Sequence, residues 1–243
     1  MSQIHRFFLH DLDPEKAHFV LEGDNAKIAS KVLRQKVHDS IVLMNGKGDV
    51  VEATITNVLP KVVEAKKEKY QKENRLSPEL HISIGALKGE KAALVLQKLT
   101  EMGVTSISFF SSTYSVSKVD QKKEKKYTAT CIEAIRQSGN PFLPEIHTFG
   151  DVQSCTKYFL TKEAKICFYE KERSLGMQDF LRSHASSYHI MVGPEGGFSE
   201  EELEHMQDHG YQNIRCAPYV LRAETAAIAA AAIVRSCEWG VRT

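Results

Sequence analysis

Two segments in the C-terminal third carry residues placed for chemistry. The first, Met191-Val192-Gly193-Pro194-Glu195-Gly196-Gly197-Phe198-Ser199-Glu200-Glu201-Glu202, reads as a strand that ends in a glycine-rich turn and opens a helix. The apolar run over 188–192 supplies the strand. Ser199, with Glu202 three residues on, has the spacing of a capping box and marks the helix start. Glycines in such a turn let a ligand approach the backbone, and the unpaired N–H groups of the helix face it. The second segment, Pro218-Tyr219-Val220-Leu221-Arg222-Ala223-Glu224-Thr225-Ala226, repeats the arrangement. Arg222 and Glu224 stand in a stretch that otherwise reads as buried, and a buried charge needs a partner or a function. Together the two segments predict one ligand site near the carboxyl ends of a parallel sheet. Taken singly, a glycine turn before a helix is often only structural, and the alanine-rich run over 226–232 reads as a closely packed helix.

The elements that must position these residues fall into two groups. Residues 1–72 read as mostly β: a short strand over 6–9, a hairpin over 39–55 turning at Asn45-Gly46, and a strand over 61–65, interrupted by a helix over 25–32. That pattern predicts a small β-barrel of a kind that often binds RNA. The basic run over 66–72, in which Glu68 interleaves, reads as a solvated face leading to a linker over 74–78. From about residue 80 the pattern becomes strand–helix alternation. Strands are predicted over 81–86, 105–110, 165–169, 188–192 and 213–217. Helices are predicted over 90–102, 122–137, 154–160, 175–183, 199–209 and 225–238. Gly103 follows the first of these helices where a capping glycine belongs. Alternation of this kind implies a mainly parallel sheet covered on both faces.

Composition narrows the function by exclusion. With 243 residues, 42% hydrophobic and 26% charged, and a formal net charge of +1, the chain has the bulk of an ordinary globular protein. Bulk charge therefore points to neither a nucleic acid nor a membrane, and any such contact must use local patches. The cysteines at 131, 155, 167, 216 and 237 form no CxxC pair and no metal-ligand spacing. They read as free thiols of a reducing, cytoplasmic compartment. No apolar run approaches the roughly 20 residues needed to span a bilayer. Walker A, G-x-S-x-G and HExxH motifs are all missing from the sequence. His205 and His209 have i,i+4 spacing, but no third ligand is in view and they read as a solvated helix face, so no metal is expected. No side chain reads as an obvious nucleophile, which leaves positioning and electrostatics to drive the chemistry.

These residues closely resemble the SPOUT methyltransferases and, within them, the RsmE family. The resemblance spans nearly the whole chain in ordered blocks. They are His5-Arg6-Phe7-Phe8, Val32-Leu33-Arg34-Gln35-Lys36-Val37-His38-Asp39, Gln97-Lys98-Leu99-Thr100-Glu101-Met102-Gly103-Val104, Glu133-Ala134-Ile135-Arg136-Gln137-Ser138-Gly139-Asn140, and the two C-terminal segments. Gly193-Pro194-Glu195-Gly196-Gly197 followed by Leu221-Arg222-Ala223-Glu224-Thr225 is the most specific part. The chain departs at Asn140 and Ala223, where members often carry Arg and Thr.

The resemblance implies an α/β protein: a PUA-like β-barrel over 1–72 that reads RNA, then a SPOUT domain over 73–243 with a C-terminal trefoil knot, an exception to the rule that chains do not thread loops. It implies methylation of N3 of a uridine in 16S ribosomal RNA of the small subunit, with S-adenosyl-L-methionine as cofactor, by a homodimer without a membrane partner. The cofactor would sit among loops at 169–171, 192–197 and 217–225. Tyr169, Val192, Gly193, Glu195, Gly196, Gly197 and Thr225 would help bind it, with the backbone of Tyr219, Val220 and Leu221 at the adenine. Arg222 would stabilise charge or orient a phosphate, and Glu224 or Glu195 would orient Arg222 or accept a proton. The alternative is that Arg222 and Glu224 only brace the fold as a pair. Arg6, Arg34, Lys36 and Arg136 are the named RNA contacts, with lysines over 118–126 in support. Rival readings are an enzyme acting on another RNA, such as transfer RNA, and a non-catalytic RNA-binding protein.

Overall fold

The computed structural model describes residues 4–173, 175–176 and 185–239. The chain divides into two compact units, 1–75 with 132–143, and 76–131 with 144–243.

The first unit holds β1 (His5–Phe8), β2 (His18–Leu21), a short α1 (Gly23–Lys27) running into a π-turn at Ile28–Val32, β3 (Ser40–Met44), β4 (Asp49–Val58) and β5 (Val63–Lys72). The strands form one mixed sheet in the order β1-β3-β4-β5-β2, curled as a half-barrel. Its concave side is filled by Phe7, Leu21, Ile41, Leu43, Val51 and Ile55. The hairpin turns where the sequence places it. Asn45 Oδ1 accepts from the amides of Lys47 (2.8 Å) and Asp49 (3.2 Å), and Gly46 takes φ +75°. The basic run over 66–72 is the solvated face expected, and it is also the second half of β5, paired with β4 as far as Asp49 opposite Lys72. Charge hides the strand period there, and opposite charge restores the pairing. Asp49 accepts from both Tyr70 Oη and Lys72 Nζ at 2.9 Å.

The second unit contains β6 (Glu79–Gly85), α2 (Glu90–Glu101), β7 (Ser106–Phe110), β8 (Glu145–Phe149), α4 (Val152–Tyr158), β9 (Ala164–Phe168), β10 (Ser187–Val192), α5 (Glu200–Asp208), β11 (Gln212–Ile214) and α6 (Ala223–Trp239); α3 (Glu124–Ser138) contributes residues to both units. The strands make a parallel sheet in the order β11-β9-β10-β6-β7-β8. β6 and β10 lie at its centre and are almost wholly buried, and their polar residues are satisfied inside, as where Ser83 Oγ meets His189 Nε2 at 2.7 Å. β2 and β8, which the sequence pattern does not announce, are edge strands of four and five residues. α2 buries Ala92, Val95, Leu96 and Leu99, one helical stripe, and stops at Gly103 with φ +69°. The alanine run becomes the buried face of α6, where Ala226, Ala227, Ala230 and Ala231 allow close packing. Cys131, Cys155 and Cys167 are buried free thiols. The predicted helix over 175–183 falls largely outside the described residues. Among the described residues, no helix is long and apolar enough to cross a membrane.

The register fixes where a ligand can bind. Ile84 of β6 stands opposite Val192 of β10, Val192 opposite Phe168 of β9, and Phe168 opposite Ile214 of β11. The loops leaving β6, β9, β10 and β11 therefore start level with one another. From β6 the chain runs outward to β8 and then returns to the other side through β9, so the strand order reverses at the β6–β10 boundary. Ligands in open parallel sheets bind at such a switch point, beyond the carboxyl ends of the strands.

Candidate functional site

A cleft of about 340 Å³ opens at this point. Of the residues predicted to hold the cofactor, Tyr169, Val192, Gly193, Glu195, Gly196, Gly197, Tyr219, Val220 and Leu221 line it, as does Arg222. Thr225, in the first turn of α6, is exposed and does not line the cleft.

The turn after β10 is closed by Gly197 N donating to Pro194 O at 2.9 Å, with Gly197 at φ +75°. The reason for its glycines differs from the one the sequence suggests. A Cβ at Gly193 would lie 3.1 Å from the Phe198 ring, and one at Gly196 would lie 2.8 Å from Tyr114 Cβ. These two glycines make room for protein side chains, not directly for a ligand. One further glycine, which the sequence reading missed, is decisive. A Cβ on Gly85, the last residue of β6, would fall 2.5 Å from Pro194 N and 2.8 Å from Pro194 Cα. A glycine at the end of a central strand was the available signal.

The capping box is present, and it does more than cap. Ser199 Oγ accepts from Glu202 N at 3.2 Å, and Glu202 Oε2 accepts from Ser199 N at 2.9 Å. The same buried carboxylate accepts from Ser112 Oγ at 3.0 Å, Thr113 N at 2.9 Å and Thr113 Oγ1 at 3.2 Å. Glu202 thus ties the loop after β7 to the start of α5, and that loop delivers Tyr114 onto Gly196.

Charge is distributed differently from the expectation of a buried Arg222–Glu224 loop. Tyr219 and Val220 are 83% and 76% exposed and Arg222 is exposed, because the segment after β11 runs along the rim of the cleft. Only Glu224 is buried, at 8% exposure. Its Oε2 has no hydrogen-bond partner among the described residues, and its Oε1 lies 3.9 Å from Lys91 Nζ. Lys91, absent from the sequence-based set, also hydrogen-bonds Glu195. That ammonium, with smaller contributions from Arg222 and Lys88, holds the Glu195 carboxyl below the usual carboxylate range. The Arg222 guanidinium makes no hydrogen bond or ion pair among the described residues, so Arg222 and Glu224 do not brace each other. Arg215, a second unforeseen residue, braces the rim by donating from Nε to Ala217 O at 2.9 Å and from Nη2 to Pro218 O.

The named RNA contacts lie in the first unit. Arg34 and Lys36 are exposed on the loop after the π-turn. Arg34 holds φ +53° and His38 φ +76°, strained values for residues with side chains. Arg136 is spent within the unit: Nε donates to Arg6 O at 3.1 Å, Nη1 pairs with Glu133 at 3.0 Å, and the guanidinium lies over Phe7. Arg6 packs its guanidinium against Gly139. His205, for its part, shares a hydrogen bond with Thr156 Oγ1 at 2.9 Å. Among the described residues, no group of three His, Cys, Asp or Glu is arranged to hold a metal.

Residues 72–235 match the family model described as RNA methyltransferase domain. Ribosomal RNA small subunit methyltransferase E of Buchnera aphidicola is 30% identical over 236 residues, covering 94% of this chain and 92% of that protein. The protein of the same name from Bacillus subtilis is 27% identical, covering 86% of each. Among solved structures, the ribosomal RNA small subunit methyltransferase E of Neisseria gonorrhoeae bound to S-adenosyl methionine superposes with a TM-score of 0.87. It is 25% identical, covering 97% of this chain and 98% of that one. With the cleft at the switch point and a match of this extent, the chain belongs to the RNA methyltransferase family of the ribosomal RNA small subunit methyltransferase E type.

Proposed function

We propose that this protein methylates N3 of a uridine in 16S ribosomal RNA of the small subunit, with S-adenosyl-L-methionine as donor, as a cytoplasmic homodimer. In this reading residues 1–72 read the RNA, and 73–243 form the catalytic domain with its knotted C-terminal part. The observation that carries it is the convergence of three loops on one cleft at the switch point of the sheet, in a chain of this family.

The cleft suits the cofactor. Its volume sits within the roughly 300–1,000 Å³ typical of small-molecule sites. Phe168, Val192, Leu221 and Ala226 give it apolar walls for a purine. Among the described residues, the amides of Val220 and Leu221 donate to no protein acceptor, which leaves them free for an adenine edge. When bound, S-adenosyl-L-methionine supplies a methyl group already activated by a sulfonium centre. The protein's share is then alignment and proton management. Neutral uridine carries a proton on N3, so a base must accept it and cations must offset the charge that develops on the flanking carbonyls. Glu195 and Glu224 are the carboxylates at hand, and Arg222, exposed and unpaired, is free to swing onto a carbonyl or a phosphate. Arg34 and Lys36, displayed on a strained exposed loop, supply phosphate contacts from the first unit.

The test is transfer of labelled methyl from S-adenosyl-L-methionine to small ribosomal subunits lacking the modification, with the product nucleoside identified by mass. N3-methyluridine at a single site is the expected result. Transfer to transfer RNA alone, or cofactor binding without transfer to ribosomal RNA, would overturn the assignment of substrate.

A further inference from the structure

A second cavity, of about 380 Å³, shares the Pro194–Glu195 segment with the cofactor cleft. Its walls combine apolar side chains, Leu87 and Val116, with Lys88, Lys91, Glu90 and Glu195. Val116 is 70% exposed, an unusual state for a β-branched apolar residue on the lip of a cavity. Behind the wall lies buried Glu224, with Oε2 unpartnered among the described residues and Oε1 3.9 Å from Lys91 Nζ. The Lys91 ammonium is thus already matched by two carboxylates, Glu195 and Glu224, and the three together carry one net negative charge. Lys88 forms no ion pair among the described residues, although its field reaches Glu195.

This combination selects a class of occupant. A phosphate is disfavoured, because the carboxylates of Glu90, Glu195 and Glu224 stand at or behind the wall. A purely apolar group would desolvate Glu90 and Lys88, which form no ion pair among the described residues, with nothing in exchange. A flat group with apolar faces, one N–H donor and flanking carbonyl acceptors meets every requirement, and the imide edge of uracil is such a group. We propose that this second cavity is the binding site for the target uracil, extruded from its RNA. Leu87 and Val116 flank the ring, a carboxylate of the Glu195–Lys91–Glu224 cluster accepts from N3–H, and Lys88 donates to a ring carbonyl. The position beside the Pro194–Glu195 turn sets the base next to the cofactor cleft. Extrusion costs unstacking of the base, which contacts of this kind offset. Cytosine is rejected because its N3 is an acceptor, which would set a lone pair against the carboxylate that lines the cavity. This inference rests on the functional reading above and deepens it.

Photolabelling with 4-thiouridine 5′-monophosphate, with adducts mapped by mass spectrometry, tests the cavity directly. Adducts are expected on the peptides containing residues 87–91 or 116–117. Uridine monophosphate should compete at least tenfold better than cytidine monophosphate. Val116→Trp, which fills the cavity, should abolish labelling while the calorimetric Kd for S-adenosyl-L-methionine stays within twofold of the parent. Adducts confined to other peptides, equal competition by the two nucleotides, undiminished labelling of Val116→Trp, or loss of its cofactor binding would each overturn the proposal. Methyl transfer by the unaltered protein to small subunits is measured alongside. Labelling without transfer would reject the ribosomal substrate and leave the uracil cavity standing, whereas transfer without labelling would do the reverse.

Discussion

Gly85→Ala places a single methyl group where the structure has no room for it. The new Cβ would sit 2.5 Å from Pro194 N, about 0.9 Å inside the 3.4 Å of ordinary contact. Backbone cannot rotate away as a side chain can. Nor can β6 and β10 slide apart, since Ile84 and Val192 are held in register by the sheet ladder. Relief must come from the Pro194–Gly197 turn lifting by most of that distance. Overpacking of this kind costs about 1–3 kcal/mol, or a fall of roughly 2–12 °C in thermal midpoint for a domain of this size. The larger effect should be functional, because the turn walls the cofactor cleft, and misplacement by about 1 Å can cost as much as a hundredfold. Calorimetric unfolding and titration with S-adenosyl-L-methionine measure both quantities on one preparation. A variant with an unchanged midpoint and a Kd within twofold of the parent would refute the claim that this contact sets the position of the turn.

Other perturbations separate the remaining roles. Glu202→Ala removes a helix cap and a carboxylate that clasps the loop at 112–113, so a loss of about 3 kcal/mol is expected from a cap plus charged hydrogen bonds; amide exchange should accelerate over 112–117 as well as at the start of α5, and protection unchanged in the loop would disprove the clasp. His189 is buried between Ser83 Oγ and Tyr211 Oη, and burial pushes its pKa well below the ordinary value. The unfolded chain takes up a proton near pH 6.5 that the folded protein refuses. Stability should therefore be flat above that pH and fall below it by up to about 1.4 kcal/mol per pH unit. His81, whose pKa burial also lowers, adds in the same direction. Denaturant midpoints between pH 7.5 and 5 that do not decline would contradict this. Arg222→Ala should leave cofactor Kd within twofold and lower kcat by roughly 10²–10³, the range for losing one charge-stabilising donor; full turnover would remove Arg222 from the chemistry.

How much of this was legible in the sequence depended on whether the cause was local. β6, β7, β9 and β10 are rich in apolar and β-branched residues and alternate with helices, and the capping box at Ser199 is a contact between residues three apart. The α/β architecture and the position of the cleft followed from these. The second half of β5 was illegible because its lysines satisfy a partner strand rather than a core. The exposure of Arg222 was equally hidden, since it depends on how the rim segment leaves β11. Gly85 and Lys91 act through neighbours more than a hundred residues away in sequence, and no window along the chain brings those pairs together; Arg215 reaches only two and three residues on, but to backbone carbonyls that leave no side-chain signature.

The position of β10 in the sheet has a consequence for synthesis. β10 pairs with β6 on one side and β9 on the other, yet it is among the last strands to leave the ribosome. Until residue 192 has emerged, β6 presents an unpaired edge along Leu80, Ile82 and Ile84, and β9 has neither of its neighbours. Long-range parallel pairing of this kind is slow, and an open edge invites association with other chains. A nascent or truncated chain ending before β10 is therefore aggregation-prone and a natural client for chaperones. Both cavities, which share the turn immediately after β10, come into existence only when the central gap in the sheet is filled. Truncation cannot yield a soluble fragment of the second unit with partial cofactor affinity.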